Sequence, residues 1–171
     1  GRGGALTNRG GRRAGAAGRG SRPEVRQARG LILDYSDGDN LTLGQQHRFT
    51  RGVRIDQERI HENARRQIAA YDIRPVDPEV PARALSGGNQ QKLCVAREIA
   101  SDPKVLVAHQ PTRGLDVGAI EFVHRRLIAE RDKGRAVLLV SLEYEEVKAL
   151  ADRLLVIYEG AIVGEFSAAA S

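Results

Sequence analysis

The sequence predicts an α/β domain built on a parallel sheet. Three observations carry this reading. Short apolar runs alternate with segments of helical period through the second half of the chain. Two of those runs, Val105–Ala108 and Ala136–Val140, are apolar throughout, the form of strands covered on both faces. A third run, Leu154–Tyr158, turns through Glu159-Gly160 into a further apolar stretch, as an antiparallel hairpin does.

The elements follow in order. Residues 1–22 are almost all Gly, Arg and Ala, and they hold six Arg and no acid. Such a segment buries too little apolar surface to offset the entropy of ordering it, so a disordered tail is expected there. Organised sequence is expected over 23–171. Leu31-Ile32-Leu33 is a short apolar run, read as a strand or buried turn. Residues 56–71 place Ile60, Ala64 and Ile68 at helical spacing. Pro75, Pro78 and Pro81 then force a loop. Ser86 opens a helix running to about Ser101, with Leu93, Ala96, Ile99 and Ala100 on one face. The strand at 105–108 follows Pro103. A helix is expected from about Gly118 to Asp132, with Ile120, Val123, Leu127 and Ile128 in phase and Gly134 ending it. The second strand is 136–140, and a helix runs from Glu143 to Ala151. The third strand is 154–158, read as part of the same sheet, and the closing hairpin partner is 161–165.

Composition narrows the function. The net charge of +5 belongs to the tail: without its six arginines, 21 basic residues face 22 acidic ones. A nucleic-acid role would rest on the Arg-Gly pairs alone, and no aromatic residues interleave there for base stacking. Nucleic acid is therefore not the expected partner. The single cysteine, Cys94, excludes an internal disulfide framework and reads as a core thiol. No run approaches the ~18 apolar residues of a membrane span. The N-terminus lacks the apolar segment of a secretory signal, so a cytosolic setting is expected. The chain begins at Gly1 and has no Met, so a processed or truncated product is also expected.

Ser86-Gly87-Gly88 carries the first chemical signal. Two glycines at a helix start expose backbone N–H groups and let a ligand approach closely. The helix dipole favours an anion there, and Ser86 adds a hydroxyl. On these three residues alone, a capping serine beside flexible glycines is the better account. His47, His61 and His124 are scattered and read as surface or helix residues.

The longer strings LSGGNQQK (85–92), HQPTRGLDVGAIEFVH (109–124), VLLVSLEYEEV (137–147) and VIYEGAIVGE (156–165) resemble an ATP-binding cassette (ABC) ATPase. The resemblance covers about residues 23–166 and is closest to the second cassette of the tandem ATPases that drive simple-sugar and nucleoside importers. It implies part of a P-loop NTPase domain, a parallel sheet with flanking helices. It also implies cassettes that meet head to tail, each site pairing one cassette's phosphate loop with the other's signature. By that resemblance Ser86, Gly87, Gly88, Asn89 and Gln90 form the signature and meet ATP in trans. Asp116 is the D-loop aspartate, which also reads as a helix N-cap. Pro23-Glu24-Val25-Arg26 is similar to a P-E-D-R segment near the Q-loop, with Val25 in place of the acid. Residues 31–75 match the part that contacts the membrane subunit.

The departures from the family pattern matter as much. No G-x-x-x-x-G-K-[ST] phosphate loop occurs in the 171 residues. The Walker B strand should end in Asp-Glu, and here it ends in His109-Gln110. Neutral imidazole is a poor ligand for Mg²⁺, a hard ion that prefers oxygen, and Gln accepts no proton. The switch-histidine position holds Leu142. The resemblance therefore implies no catalytic residue or metal ligand in this chain, with Mg²⁺ held by a partner cassette. The expected partners are an intact cassette, transmembrane permease subunits and, indirectly, a solute-binding protein, on the inner face of the cell membrane. Three alternatives stand beside this: a non-functional gene fragment, an RNA-binding protein acting through the tail, and a soluble ABC protein of translation or DNA repair. The PTRGLDVGA string favours the importer branch over the last.

Overall fold

The computed structural model describes residues 19–21, 30–51 and 54–167. Local side-chain chemistry sets the helix starts. Ser36 caps α1 (Asp37–Thr42), Asp56 caps α2 (Gln57–Ala70), Ser86 caps α3 (Gly87–Ala100) and Asp116 caps α4 (Val117–Asp132). In each case the capping oxygen accepts the backbone N–H three residues on, from 2.8 Å at Asp116 to 3.3 Å at Ser86. That bond satisfies one of the orphan N–H groups at a helix start. The fifth helix, α5 (Tyr144–Leu150), has no side-chain cap. Helix α4 ends at Lys133-Gly134, with Gly134 at φ 83°, a conformation that favours glycine.

The strands are β1 (Arg19–Ser21), β2 (Thr50–Arg51), β3 (Arg54–Ile55), β4 (Val105–His109), β5 (Ala136–Val140), β6 (Arg153–Tyr158) and β7 (Ala161–Ser167). β1, β4 and β5 form a parallel sheet in that order, with Arg19 opposite Val105 and His109 opposite Val140. β2 and β3 make a short antiparallel ribbon, and β6 and β7 a separate hairpin. Glu159 and Gly160 turn that hairpin at φ 48° and 79°, the left-handed pair a two-residue turn needs.

The core lies where α1, α2 and α3 meet and continues between α3, α4 and β4. Leu41, Ile68, Ile73, Leu93, Ala96, Leu106 and Val123 fill it, with Cys94 buried among them. The stripe Ile60, Ala64 and Ile68 expected on α2 is buried as the spacing requires. On α3, Leu93, Ala96 and Ile99 are buried and Ala100 is half-buried. Leu31 is buried, Ile32 exposed and Leu33 half-buried in an irregular segment entering a turn at 33–34, so the 31–33 run is neither a strand nor a buried turn.

Three further expectations are corrected. The segment 136–140 is not buried on both faces: Leu138 is 53% and Val140 43% exposed. Val137 and Leu139 pack against the core, whereas among the described residues nothing covers the alternate positions. The strand at 153–158 does not join the parallel sheet; its described pairing is with β7 alone. Finally, residues 19–21 of the expected tail run as β1 beside β4. Ladder hydrogen bonds come from the backbone, so an Arg-Gly-Ser segment without apolar side chains can make them. The remainder of the tail and the Pro23–Arg26 segment lie outside the described residues.

Candidate phosphate-facing site at two helix starts

Helices α3 and α4 begin side by side. Gly88 makes this possible: a Cβ there would sit 3.3 Å from the Ala119 Cβ and 3.4 Å from an Asp116 carboxylate oxygen. The N-terminal turns of both helices thus open onto one cleft of about 340 Å³, with Ser86, Gly88, Asn89, Asp116 and Gly118 on its wall. Backbone N–H groups at helix starts and the positive ends of two dipoles face the same space, which suits an oxyanion. Ser86 and Gly87 are exposed, and Gly88 and Asn89 half-buried, so a ligand can reach them.

The hydroxyl of Ser86 is held from below. It accepts the Asn89 backbone N–H at 3.3 Å and the Asn89 side-chain amide at 3.1 Å. The Asn89 carbonyl oxygen accepts the Arg74 backbone N–H at 3.1 Å. The turn after α2 is further clamped to α3 by Lys92. Its ammonium donates to the Asp72 backbone carbonyl at 2.7 Å and to the Asp72 carboxylate at 3.3 Å. The hydrogen bond from Lys92, then its charge, then Arg74, holds the Asp72 carboxyl below the usual carboxylate range. Arg126 stacks over Tyr71 and Phe122, with its guanidinium carbon 4.4 Å and 5.3 Å from the ring centres. The Lys92 ammonium also lies over the Phe122 ring, 5.1 Å from its centre. Asp72, Arg74, Tyr71 and Arg126 were not singled out from the sequence. They lie in the turn after α2 and on α4, and no periodicity links them to residues 86–92.

Asp116 spends one carboxylate oxygen on the Ala119 N–H at 2.8 Å, so the capping account of this residue holds, and its other oxygen borders the cleft. Gln90 is corrected. It was expected to meet nucleotide, but its side chain is buried and donates to the Ala82 and Leu85 carbonyls at 3.1 and 3.3 Å. One residue along a helix is about a 100° rotation, which carries Gln90 from the cleft into the domain.

His109, Gln110 and Leu142 gather at the C-terminal ends of β4 and β5. His109 is half-buried, Gln110 is buried at φ 47° with its N–H on the Val140 carbonyl at 2.8 Å, and Leu142 is 88% exposed. An imidazole, a carboxamide and an isobutyl group supply none of the carboxylate oxygens that Mg²⁺ prefers. Among the described residues no group of three His, Cys, Asp or Glu is placed to hold a metal. His61 instead pairs with Glu79 at 2.6 Å, and His124 with the buried Glu146 at 3.1 Å, both away from the cleft. No described helix is long and apolar enough to cross a membrane.

No family model matches the chain. It is 49% identical over 144 residues to a guanosine import ATP-binding protein, NupO, of Bacillus subtilis, and 43% identical to a nucleoside import ATP-binding protein, NupA, of Lactococcus lactis. A ribose import ATP-binding protein of Rubrobacter xylanophilus is also 43% identical. These alignments cover 82%, 83% and 84% of this chain but 28% of each relative, so the chain spans little more than a quarter of their length. Among solved structures, the dimeric cassette MJ0796 bound to ADP and phosphate superposes with a TM-score of 0.72 at 22% identity, covering 88% of this chain and 62% of that one. A nucleotide-free cassette from an ABC transporter gives 0.75 at 19% identity, covering 95% and 66%. Those two likenesses are of fold. Taken with the sequence relatives, they make the chain part of an ABC ATPase cassette, of the P-loop NTPase fold, homologous to the ATP-binding proteins of nucleoside and sugar importers.

Proposed function

We propose that this chain is the signature-bearing part of the ATP-binding component of an ABC importer for nucleosides or simple sugars. In this reading Ser86, Gly87 and Gly88 meet the terminal phosphate of an ATP held on the phosphate loop of a partner cassette. The observation that carries it is the shared cleft at the starts of α3 and α4, which Gly88 keeps open and Ser86 borders. Phosphate at such a place is favoured by helix-start N–H groups and dipoles, and Lys92 and Arg125 also line the cleft. The ends of β4 and β5 do not fit a metal site, so Mg²⁺ and the attacking water belong to the partner. The chain contributes binding and orientation of the phosphate, not bond breaking.

The component works at the inner face of the membrane, held there by permease subunits, with a solute-binding protein acting on the far side. The segment 31–75 is the permease-facing part. Its exposed apolar side chains Ile32, Tyr35 and Ile55 suit such a contact.

The test compares two substitutions in a reconstituted pair with an intact cassette. Gly87→Asp places a negative charge against the incoming phosphate and is expected to abolish ATP-dependent stimulation of the partner. Leu142→Ala is expected to leave stimulation within about twofold of wild type. Equal loss from both would overturn the assigned asymmetry.

A further inference from the structure

We propose that Asn89 is a positioning residue that sets the direction of the Ser86 hydroxyl, so that the proton of Ser86 faces the cleft before any ligand arrives. This rests on the role given to Ser86 above. It assigns Asn89 to the hydroxyl and not to the nucleotide.

The direction follows from donor and acceptor chemistry. A side-chain amide has one acceptor end and one donor end. The Arg74 backbone N–H is a donor, and it stands 3.1 Å from one end of the Asn89 amide. That end must be the carbonyl oxygen. The amide nitrogen is then turned toward Ser86 Oγ, 3.1 Å away, and can only donate to it. The Asn89 backbone N–H donates to the same oxygen at 3.3 Å. A hydroxyl oxygen has two lone pairs, and both are now engaged. Among the described residues the hydroxyl proton has no acceptor, so what remains of Ser86 is a hydrogen-bond donor, and its accessible side is the cleft. An oxyanion needs a donor and is repelled by lone pairs. Asn89 therefore removes the unproductive orientations of the serine in advance, which is preorganisation of a binding group.

The same bonds tie the hydroxyl to the turn after α2. Lys92 and the Asp72 carboxylate clamp that turn to α3, and Arg74 Nε adds to the clamp at 3.0 Å from Asp72. The Arg74 N–H is thereby held where it fixes the amide. The device is a relay of three fixed groups: turn, amide, hydroxyl.

A double-substitution cycle separates positioning from direct contact. The readout is the ATP concentration giving half-maximal association of the full chain with a cassette that carries a complete phosphate loop. Asn89→Ala is expected to raise that concentration about 3- to 10-fold, the worth of one hydrogen bond's orientation. In a Ser86→Gly background, chosen because glycine keeps the helix cap at little cost, Asn89→Ala is expected to change it less than about 1.5-fold. An equal effect in both backgrounds would mean that Asn89 touches the nucleotide itself, and the inference falls. If wild type shows no ATP-dependent association, the proposed function fails. The inference is then decided without ATP, by the Asn89 side-chain amide resonances in ¹⁵N-labelled chain. They should shift on Ser86→Gly, and unmoved resonances overturn the relay.

Discussion

The side-chain amide of Gln91 donates to the backbone carbonyl of Pro111, joining the signature helix to the turn that leaves β4. Gln91 is wholly buried and lies one residue past Gln90, on the inner side of α3. The bond fixes the cleft at the start of α3 relative to the end of the sheet. Gln91→Met keeps the volume and loses this buried donor. The expected cost is about 1–3 kcal/mol. Gln91→Glu should cost more, since a carboxylate facing a carbonyl repels it. Urea unfolding of the three proteins checks the order. A Glu variant as stable as wild type would remove this bond from the account.

The 171-residue chain by itself is expected not to hydrolyse ATP. The reason is chemical: His109, Gln110 and Leu142 stand together where a metal ligand, a water-polarising carboxylate and a phosphate-sensing histidine are expected from the family resemblance. Steady-state phosphate release from the purified chain is the measurement, with Ser86→Ala as a control for contaminating ATPases. Turnover near ~1 s⁻¹, the low end for ordinary enzymes, that is lost in the Ser86→Ala protein would refute it.

The legible parts of this molecule are those fixed by neighbours in sequence. Asp56, Ser86 and Asp116 announce helix starts because each cap is a contact three residues long. Ile60, Ala64 and Ile68 announce a buried face because their spacing is the helix period. Gln90 was misplaced because a recurring string gives membership in a motif but not which side of the helix each member takes. Asp72 and Lys92 are twenty residues apart, and only the packing of the α2 turn on α3 brings them together. The exposure of Leu138 and Val140 was illegible for another reason. An apolar run tells that a strand can be covered, whereas covering depends on other elements.

Asp37 makes the domain's stability depend on pH. Its carboxyl is fully buried at the start of α1, and neither oxygen has a hydrogen-bond partner among the described residues. Burial pushes its pKa up to about 7 from the ordinary 3.8, with the charge of Asp77 adding to the effect. A carboxyl with a raised folded pKa binds its proton more tightly in the native state. Its contribution is therefore fully present below the ordinary value, declines as pH rises through about 7, and stays low above that. Asp37→Asn removes the decline. It is expected to stabilise the domain by about 1–3 kcal/mol at pH 8 and to change little at pH 4. A gain that is equal at both pH values would show that charge is not the cause.

The edges of β5 and β6 set the behaviour of the purified chain. β5 pairs with β4 on one side, and no described strand lies on its other side. β6 pairs with β7 and with no other described strand. The apolar groups along these strands face outward: Leu138 and Val140 on β5, Ile157 on β6, and Val163 and Phe166 on β7. By family resemblance the strand that leads to the phosphate loop lies between β5 and β6. Open apolar edges template pairing with other chains. The 171-residue chain is therefore expected to self-associate, with elution volume in size-exclusion chromatography falling as concentration rises. Leu138→Lys with Ile157→Lys places charge on both edges and should shift the population toward monomer without restoring stability. The expected urea transition is shallow, because each unpaired backbone group costs about 1–3 kcal/mol when buried, against a typical total of ~5–15 kcal/mol. A concentration-independent monomer unfolding cooperatively with more than ~5 kcal/mol of stability would mean that β5 and β6 are closed in solution by something other than a further strand.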